Sequence, residues 1–357
     1  MDDIKEGLQE IAGGNSQAAV LVTIVSVKGS TPRSPGARMI VFGDGRTYGT
    51  IGGGCGEAEV RREALNALRY RINKWYTLDM TNDTAEEEGM VCGGTMDVFI
   101  EYVDESQAEF LSKCLQFINQ KDTFVLLTLV RSDDSAQVGK KLLITNSEHQ
   151  FGDLGCPDLN SAAIELYAAI GKENKPRLIN LDHEFKVQEN NTGFKYQLFY
   201  EKVTAPIELL VLGGGHIALP LCEMGKILGY HVTVVDDRPY FANTQRFSSV
   251  DKVICNDFCK ALEEIEVTPA TFIVIVTRGH RHDKICLRQV IERPAGYIGM
   301  IGSKRRVKAL MSELAEEGIS VELLNKVYSP IGLKISAETP QEIAVSILAE
   351  IIQVQRG

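Results

Sequence analysis

The last third of the chain opens with Leu209-Leu210-Val211-Leu212-Gly213-Gly214-Gly215-His216-Ile217-Ala218, an apolar strand followed directly by a G-x-G-x-x-A loop. Strand and helix patterns alternate from there, and the second apolar strand, 231–235, ends at Asp236. Asp236 follows Gly215 by roughly 20 residues, the spacing of a carboxylate that binds a ribose. The sequence therefore predicts a Rossmann-like, doubly wound parallel sheet over residues 206–357.

Polar residues follow the strands of this segment at their carboxyl ends, where doubly wound sheets bind ligands. Ser303 is placed to cap a helix, whose first amides would bind an anion. His280, His282 and Asp283 could bind a metal, although neighbours on a short loop more often form hydrogen bonds. A plain strand-turn-helix without a ligand is the alternative. The residues expected to bind phosphate or nucleotide are Gly213, Gly215, His216, Asp236, Arg238, His280, Asp283, Ser303 and Lys304.

Two similar segments make up the first 205 residues. Each contains an apolar strand, a glycine before a second strand, a glycine turn before a helix pattern, and a final strand. Matching stretches are 19–25 with 124–130, 36–41 with 139–144, and 98–103 with 198–203. We therefore expect one α/β unit used twice, over 1–105 and 106–205, with the second copy degenerate. Chance similarity between two strand-rich segments is the alternative.

Three features occur only in the first segment, namely the loop Thr31-Pro32-Arg33, the run Gly53-Gly54-Cys55-Gly56 and the turn Cys92-Gly93-Gly94. Gly49 and Gly52 recur in the second segment and are expected to serve the turn. In place of the glycine run the second segment has Cys156-Pro157, and proline lacks an amide donor. We expect the three features to meet in one site. Its expected ligand-binding residues are Thr31, Arg33, Gly52, Gly53, Gly54, Gly93 and Gly94.

The chemistry of these residues suits an anionic ligand with a soft metal. Arg33 is a forked donor for phosphate. The glycine run precedes a predicted helix over 58–72, and helix N-termini bind anions. Cys55 and Cys92 carry thiols that can bind a thiophilic metal or take part in sulfur transfer. Each of them could instead be a buried structural cysteine.

Length, charge and cysteine usage exclude several classes of protein. A chain of 357 residues needs more than one core. A net charge of −10 disfavours binding to nucleic acid. No apolar run is long enough to span a membrane, and the polar N-terminus is not a signal peptide. The eight cysteines contain no C-x-x-C pair, so we expect reduced thiols in a cytoplasmic protein.

With these motifs in view, the chain resembles the XdhC/CoxI family of accessory factors for xanthine dehydrogenase and related molybdenum hydroxylases. The resemblance extends from about residue 18 to residue 352. Two positions depart from the family pattern: Gly56, where a larger residue is frequent, and Ser336, where glycine is usual. The motifs that carry the resemblance are 29–33 with 36–37, 49–57, 92–94, 213–218, 277–283, 299–303, 330–333 and 339–344.

The resemblance implies a carrier of molybdenum cofactor, molybdopterin in its mono- or dinucleotide form, rather than a catalyst. Such a carrier presents the cofactor to a cysteine desulfurase for sulfuration and assists insertion into an apo-hydroxylase of the xanthine dehydrogenase type. The resemblance also implies a homodimer, and Cys55 or Cys92 is then expected near molybdenum. The name xanthine dehydrogenase could attach to such a chain by association, but its cysteines do not suit two iron–sulfur clusters.

Two other functions stay open at this point. An NAD(P)-dependent oxidoreductase would explain residues 213–236, but not the three features of the first segment. A nucleotide-sensing regulatory module would use the acidic surface for partner proteins and carry out no chemistry.

Overall fold

The computed structural model of the chain describes residues 4–13, 18–80, 93–120, 122–145, 149–170, 174–189, 193–204 and 206–356. The chain separates into two compact units, Met1–Ala205 and Pro206–Gly357. The first unit contains both similar segments, so their division at residue 105 stays a prediction. In the described part, no helix is both long enough and apolar enough to cross a membrane.

An antiparallel sheet is built from the first segment. Its elements are α1 Lys5–Ala12, β1 Ala19–Lys28, β2 Arg38–Phe42, β3 Thr47–Gly49, α2 Gly54–Tyr70, β4 Lys74–Asp79 and β5 Thr95–Val103. The described strands lie in the order β3-β2-β1-β5-β4. Alternate residues of a strand point to opposite faces. Val20 and Val22 pack with α2 and Leu21 packs with α1, so β1 begins with an apolar run that serves both faces of the sheet.

Helix α2 is shifted from its predicted range of 58–72. It begins at Gly54, directly after its N-cap Gly53, and both of these glycines have positive φ, at +68° and +76°. It ends before Arg71, whose φ of +54° is left-handed and cannot continue the helix. The glycine run therefore forms the first turn of the helix rather than only the loop before it.

The second segment forms another antiparallel sheet. Its elements are α3 Ala108–Asn119, β6 Phe124–Ser132, β7 Lys141–Thr145, β8 Gln150–Asp153, α4 Pro157–Ile170, β9 Arg177–Leu181, β10 Val187–Gln188 and β11 Tyr196–Val203. Single 3-10 turns lie at Glu105–Gln107 and Ser135–Gln137. The described strands lie in the order β10-β9-β11-β6-β7-β8.

Apart from β10, the second sheet read from β8 to β9 has the same strand order as the first sheet read from β3 to β4. The strands also pair in the same register. Ala19 pairs with Phe42 and Val103, and Phe124 pairs with Thr145 and Val203. Positions that these registers match are called equivalent below.

The equivalent glycines Gly49 and Gly152 show why the sheets share sequence. Both have positive φ, at +72° and +97°. A Cβ on Gly49 would lie 2.4 Å from the carbonyl oxygen of Arg38, and one on Gly152 would lie 2.3 Å from that of Lys141. Neither position accepts a side chain, so these glycines are needed for the sheet itself.

Two reciprocal ion pairs join the sheets. Arg38 pairs with Glu201, and its equivalent Lys141 pairs with Glu101, the equivalent of Glu201. The four side chains are at most 10% exposed. The apolar residues between the sheets are equivalent pairs too: Val25 with Val130, and Phe99 with Phe199.

The second unit is a parallel α/β sheet. Its elements are β12 Glu208–Leu212, α5 Ala218–Ile227, β13 His231–Asp236, β14 Lys252–Cys255, α6 Phe258–Glu264, β15 Thr271–Ile275, α7 His280–Val290, β16 Tyr297–Met300, α8 Lys304–Glu316, α9 Val321–Leu324 and α10 Pro340–Arg356. Its described strands lie in the order β14-β13-β12-β15-β16 and are parallel.

This order is that of a Rossmann-like sheet. Leu209 and Val211 face one hydrophobic core while Leu210 and Leu212 face another, which explains the continuous apolar run of β12. The predicted α/β class with a C-terminal Rossmann-like sheet is confirmed.

Candidate functional site

The glycine run turns the chain from β3 into α2 through three successive residues with positive φ. The values are +138° at Gly52, +76° at Gly53 and +68° at Gly54. A Cβ on Gly52 would lie 2.3 Å from Cγ of Pro32, whereas nothing described lies within 4 Å of a Cβ on Gly53 or Gly54. Gly52 thus permits close contact with the 31–33 loop, and no described residue fills the space beside the other two glycines.

The Gly93-Gly94 turn approaches the same loop from its other end. A Cβ on Gly94 would lie 2.5 Å from the carbonyl oxygen of Ser30, the residue before Thr31. The structure therefore brings the 31–33 loop, the glycine run and the Gly93-Gly94 turn together. Cys92, which was predicted to lie with them, falls outside the described residues.

The side chains around this junction differ in exposure. Cys55 is exposed in the first turn of α2. Arg33 is half-buried, and the Thr31 hydroxyl donates a hydrogen bond to the Arg33 carbonyl at 3.2 Å. Gly56 is buried, and a Cβ there would lie 2.8 Å from Cδ2 of Leu78. Gly56 is therefore a packing glycine, although it occurs only in the first segment.

Glu57 holds the glycine run in place. Its Oε2 accepts hydrogen bonds from the Thr50 hydroxyl at 2.5 Å, the Ile51 amide at 3.0 Å and the Gly53 amide at 3.1 Å. Burial raises the pKa of Glu57, but these hydrogen bonds outweigh burial and leave the pKa below its ordinary value. The Ile51 and Gly53 amides thus already have an anionic partner. The sequence alone predicts no role for Glu57, because its only signal there is its place in the helix after the run.

The second copy holds the equivalent turn with a neutral carboxamide and with a carboxylate from the preceding strand. Asn160, the equivalent of Glu57, accepts from the Leu154 amide through Oδ1 at 2.9 Å. Asp153 accepts from the Gly155 amide at 2.9 Å. Helix α4 then begins at Pro157, which supplies no amide donor at that turn.

In the second unit, the glycine loop after β12 is held by two neighbouring loops. A Cβ on Gly213 would lie 2.5 Å from the Val276 carbonyl oxygen, and one on Gly214 would lie 2.4 Å from the Phe241 carbonyl oxygen. No described atom lies within 4 Å of a Cβ on Gly215. Gly215 is the position where a Rossmann loop lets a pyrophosphate approach its backbone.

Asp236 has partners from its own chain at the place where a ribose was expected. It is 1% exposed and accepts hydrogen bonds from the Gly214 amide at 2.9 Å and from the amide, Nε and Nη2 of Arg238 at 2.8–3.0 Å. Burial raises the pKa of Asp236, but the Arg238 and Gly214 hydrogen bonds keep it below its ordinary value. Both carboxylate oxygens are therefore engaged, and a ribose would have to compete with Arg238.

Further basic side chains join the loops at this edge of the sheet. Arg278 pairs with Asp237 at 2.8 Å, linking the loops after β15 and β13. Arg246 donates to the Gly215 carbonyl at 3.2 Å through Nη2. Arg246 carries no signal in the sequence, because it lies far along the chain from the glycine loop and its contact depends on the fold.

The 277–283 segment forms hydrogen bonds within itself. The Thr277 hydroxyl donates to Asp283, which is 7% exposed, and the Asp283 amide donates to the Gly279 carbonyl at 3.2 Å. The His282 ring packs on Phe258 with ring centroids 5.7 Å apart. The side chain of His280 is not among those described. Within the described part, no group of three or more His, Cys, Asp or Glu side chains could hold a metal ion.

Ser303 and Lys304 lie at the beginning of α8. Ser303 is its N-cap, as predicted, and accepts from the Arg306 amide at 3.4 Å. Lys304 and His216 lie at the same edge of the parallel sheet as Gly215, since each follows the carboxyl end of a strand. Lys304 is exposed.

Comparison with known proteins places the chain in a family. The model of the XdhC and CoxI family matches residues 14–76, and the model of the XdhC Rossmann domain matches residues 209–351. Together the two matches span more than half of the chain.

Relatives match along most of the chain. A protein of Bacillus subtilis named as a probable xanthine dehydrogenase subunit is 28% identical, covering 96% of this chain and 94% of that protein. The molybdenum cofactor insertion chaperone PaoD of Escherichia coli is 21% identical, covering 96% and 85%. A crystal structure of a xanthine dehydrogenase from Bacillus halodurans aligns with a TM-score of 0.78 at 26% identity, over 99% of this chain and 95% of that one. The chain therefore belongs to the XdhC/CoxI family.

Proposed function

We propose that the chain holds molybdenum cofactor as a cargo and assists its insertion into an apo-hydroxylase of the xanthine dehydrogenase type. The names of two relatives, a molybdenum cofactor insertion chaperone and a probable xanthine dehydrogenase subunit, support this role. The observation that carries the proposal is the junction of the 31–33 loop, the glycine run and the Gly93-Gly94 turn. All three occur in the first copy and not in the second.

The groups at the junction fit such a cargo. Gly53 and Gly54 leave space for a ligand beside the backbone, and α2 presents the positive end of its dipole there. Arg33 can add a bidentate donor for phosphate. The exposed Cys55 thiol is a soft ligand suited to molybdenum, and Cys92 is a second thiol for the same role.

Two finer parts of the proposal rest on the family resemblance. The chain presents the bound cofactor to a cysteine desulfurase for sulfuration before insertion, and it acts as a homodimer.

In the second unit, the Gly213–His216 loop and the basic residues around it bind a phosphate or nucleotide, either of the cofactor or of a separate molecule. The open backbone at Gly215 supports this assignment.

The alternative of an NAD(P)-dependent oxidoreductase loses its main support. Binding of NAD(P) would require Asp236 to accept hydrogen bonds from the ribose hydroxyls. Asp236 already accepts hydrogen bonds from Gly214 and Arg238 instead.

A transfer experiment tests the insertion role. The chain is purified from a host that makes the cofactor, then mixed with apo-hydroxylase, and the appearance of hydroxylase activity is followed. We expect faster activation than with an equal amount of free cofactor. Cys55→Ala should slow activation, whereas Cys156→Ala, in the equivalent turn of the second copy, should not. Equal activation by free cofactor at every concentration would overturn the insertion role.

A further inference from the structure

A cavity of about 260 Å³ lies in the first unit beside the Arg38–Glu201 ion pair. Its wall includes Pro35, Pro176 and Lys202. The other ion pair, Lys141–Glu101, offers a direct comparison, because the two copies place equivalent residues around it.

Beside the Lys141–Glu101 pair, the carboxamide of Asn73 bridges a loop and a strand. Its Nδ2 donates to the Val138 carbonyl at 2.7 Å, and its Oδ1 accepts from the Tyr102 amide at 3.0 Å. One planar amide group thus satisfies one acceptor and one donor of the backbone.

Pro176 is equivalent to Asn73 and occupies a similar place. A Cβ on Gly139 would lie 2.4 Å from Asn73 Nδ2, and a Cβ on the equivalent Gly36 would lie 3.0 Å from Pro176 Cγ. A proline side chain has no hydrogen-bond donor or acceptor, so Pro176 cannot make the bridge.

The wall of the cavity contains the two residues that are equivalent to Val138 and Tyr102, the residues that Asn73 joins. Pro35 is equivalent to Val138, and Lys202 is equivalent to Tyr102. Arg38, which is 6% exposed, also lines the cavity, and its Nε has no hydrogen-bond partner among the described residues. A buried donor without a partner costs free energy, which a ligand acceptor would recover.

We propose that this cavity binds a small molecule through a planar amide group. The amide oxygen accepts from the Lys202 backbone N–H, and the amide N–H donates to the Pro35 carbonyl. The cyclic amide of a pterin and the carboxamide of nicotinamide share this chemistry. The cavity has room for roughly eight water molecules, which suits a single ring system. The proposal rests on the comparison of the two copies and not on the cofactor role.

Backbone amide NMR on the full-length chain tests the proposal. The ¹⁵N-labelled chain is titrated with metal-free pterin and, separately, with nicotinamide. We expect a saturable shift of the Lys202 amide signal, with the equivalent Tyr102 amide as an unshifted internal control. A response to one probe identifies the source of the amide. The absence of a saturable Lys202 shift with both probes, up to their solubility limits, would overturn the proposal.

The variant Pro176→Asn provides the second test, because it supplies the amide from the protein itself. We expect the probe that binds the wild type to bind this variant at least tenfold more weakly. Lys175→Asn, an exposed neighbour, is the matched control and should bind as the wild type does. Thermal unfolding establishes that both variants are folded. Unchanged affinity in folded Pro176→Asn would contradict the proposal, and the wild-type NMR result stands if that variant fails to fold.

Discussion

The turn at residues 52–56 and the equivalent turn at 155–159 lie at the same place in two sheets of the same strand order and register, which we call the shared frame. The two turns differ in the backbone and side-chain groups that they expose. The first places Gly53 and Gly54 beside space that no described residue fills, and the Glu57 carboxylate accepts hydrogen bonds from its amides. The second uses Asn160 and starts its helix at Pro157. The frame is therefore what both copies need to fold, and the open backbone with its thiol is what the first copy adds. Four pairs of variants can break or sharpen this comparison.

The largest effect is expected at the shared frame. Glu201→Ala and Glu101→Ala each leave a buried cation without its partner, which typically costs about 3–5 kcal/mol of unfolding free energy. Because the pairs are reciprocal, we expect similar losses, measured by denaturant unfolding. A large loss in one variant and none in the other would contradict the equivalence of the two copies.

Glycine variants separate the frame from the site. Gly52→Ala and Gly155→Ala both place a side chain at positive φ, which costs about 1–3 kcal/mol. The new methyl group of Gly52→Ala also meets the Pro32 ring and displaces the 31–33 loop. We expect Gly52→Ala to lose at least tenfold in retained molybdenum and Gly155→Ala to retain it, as measured by metal analysis of the purified chains. Equal amounts of molybdenum in the two variants would contradict the assignment of the site to the first turn alone.

The anchors of the two turns differ in their pH dependence. The lowered pKa of Glu57 stabilises the fold above its ordinary value of 4.5, and this stabilisation disappears as the pH falls through the folded-state pKa. Glu57→Gln should therefore cost about 1–2 kcal/mol at pH 7 and progressively less as the pH falls through the folded-state pKa. Asn160→Ala removes a hydrogen bond to the neutral Leu154 amide as well as one to the Asp153 carboxylate at 2.8 Å, so its cost should fall only in part at low pH. Urea unfolding of both variants measures this, and a Glu57→Gln loss independent of pH would rule out the charge as its cause.

The smallest effect on stability is expected for the thiols. Cys55 is exposed and Cys156 is partly exposed, so replacing either with alanine should change the unfolding free energy by no more than about 0.5 kcal/mol. Metal analysis should nevertheless show less molybdenum in Cys55→Ala and an unchanged amount in Cys156→Ala. Unchanged content in both variants would remove Cys55 from the site.

Local patterns predicted much of the fold. The apolar run of β12 with its glycine loop predicts a Rossmann-like unit, and the similar spacing of Gly49 and Gly152 marks the shared turns. Thr339 and Glu342 form a capping box at the start of α10, a pattern that the residue types and their spacing already indicate, with the Thr339 amide donating to Glu342 at 2.9 Å.

Contacts that depend on packing were beyond the sequence. The Lys141–Glu101 pair needs two sheets placed face to face, and the Arg246–Gly215 contact needs a folded loop after β13. Asp236 has the correct spacing for a ribose, but spacing alone does not show that Arg238 already holds it. The same limit applies to Gly56, whose burial against Leu78 follows from strand β4.

The most direct test of the central claim is the molybdenum and pterin content of the chain itself. Wild type, Gly52→Ala and Gly155→Ala are purified from a host that makes the cofactor and from one that cannot make the pterin. From the first host, we predict that wild type and Gly155→Ala carry the same amount of molybdenum and the same amount of pterin. Gly52→Ala from that host should have lost most of both. From the second host, no chain should carry either component. A wild-type chain without pterin, or a Gly52→Ala chain that carries as much cofactor as wild type, would contradict the assignment of the first-copy junction as the cofactor site.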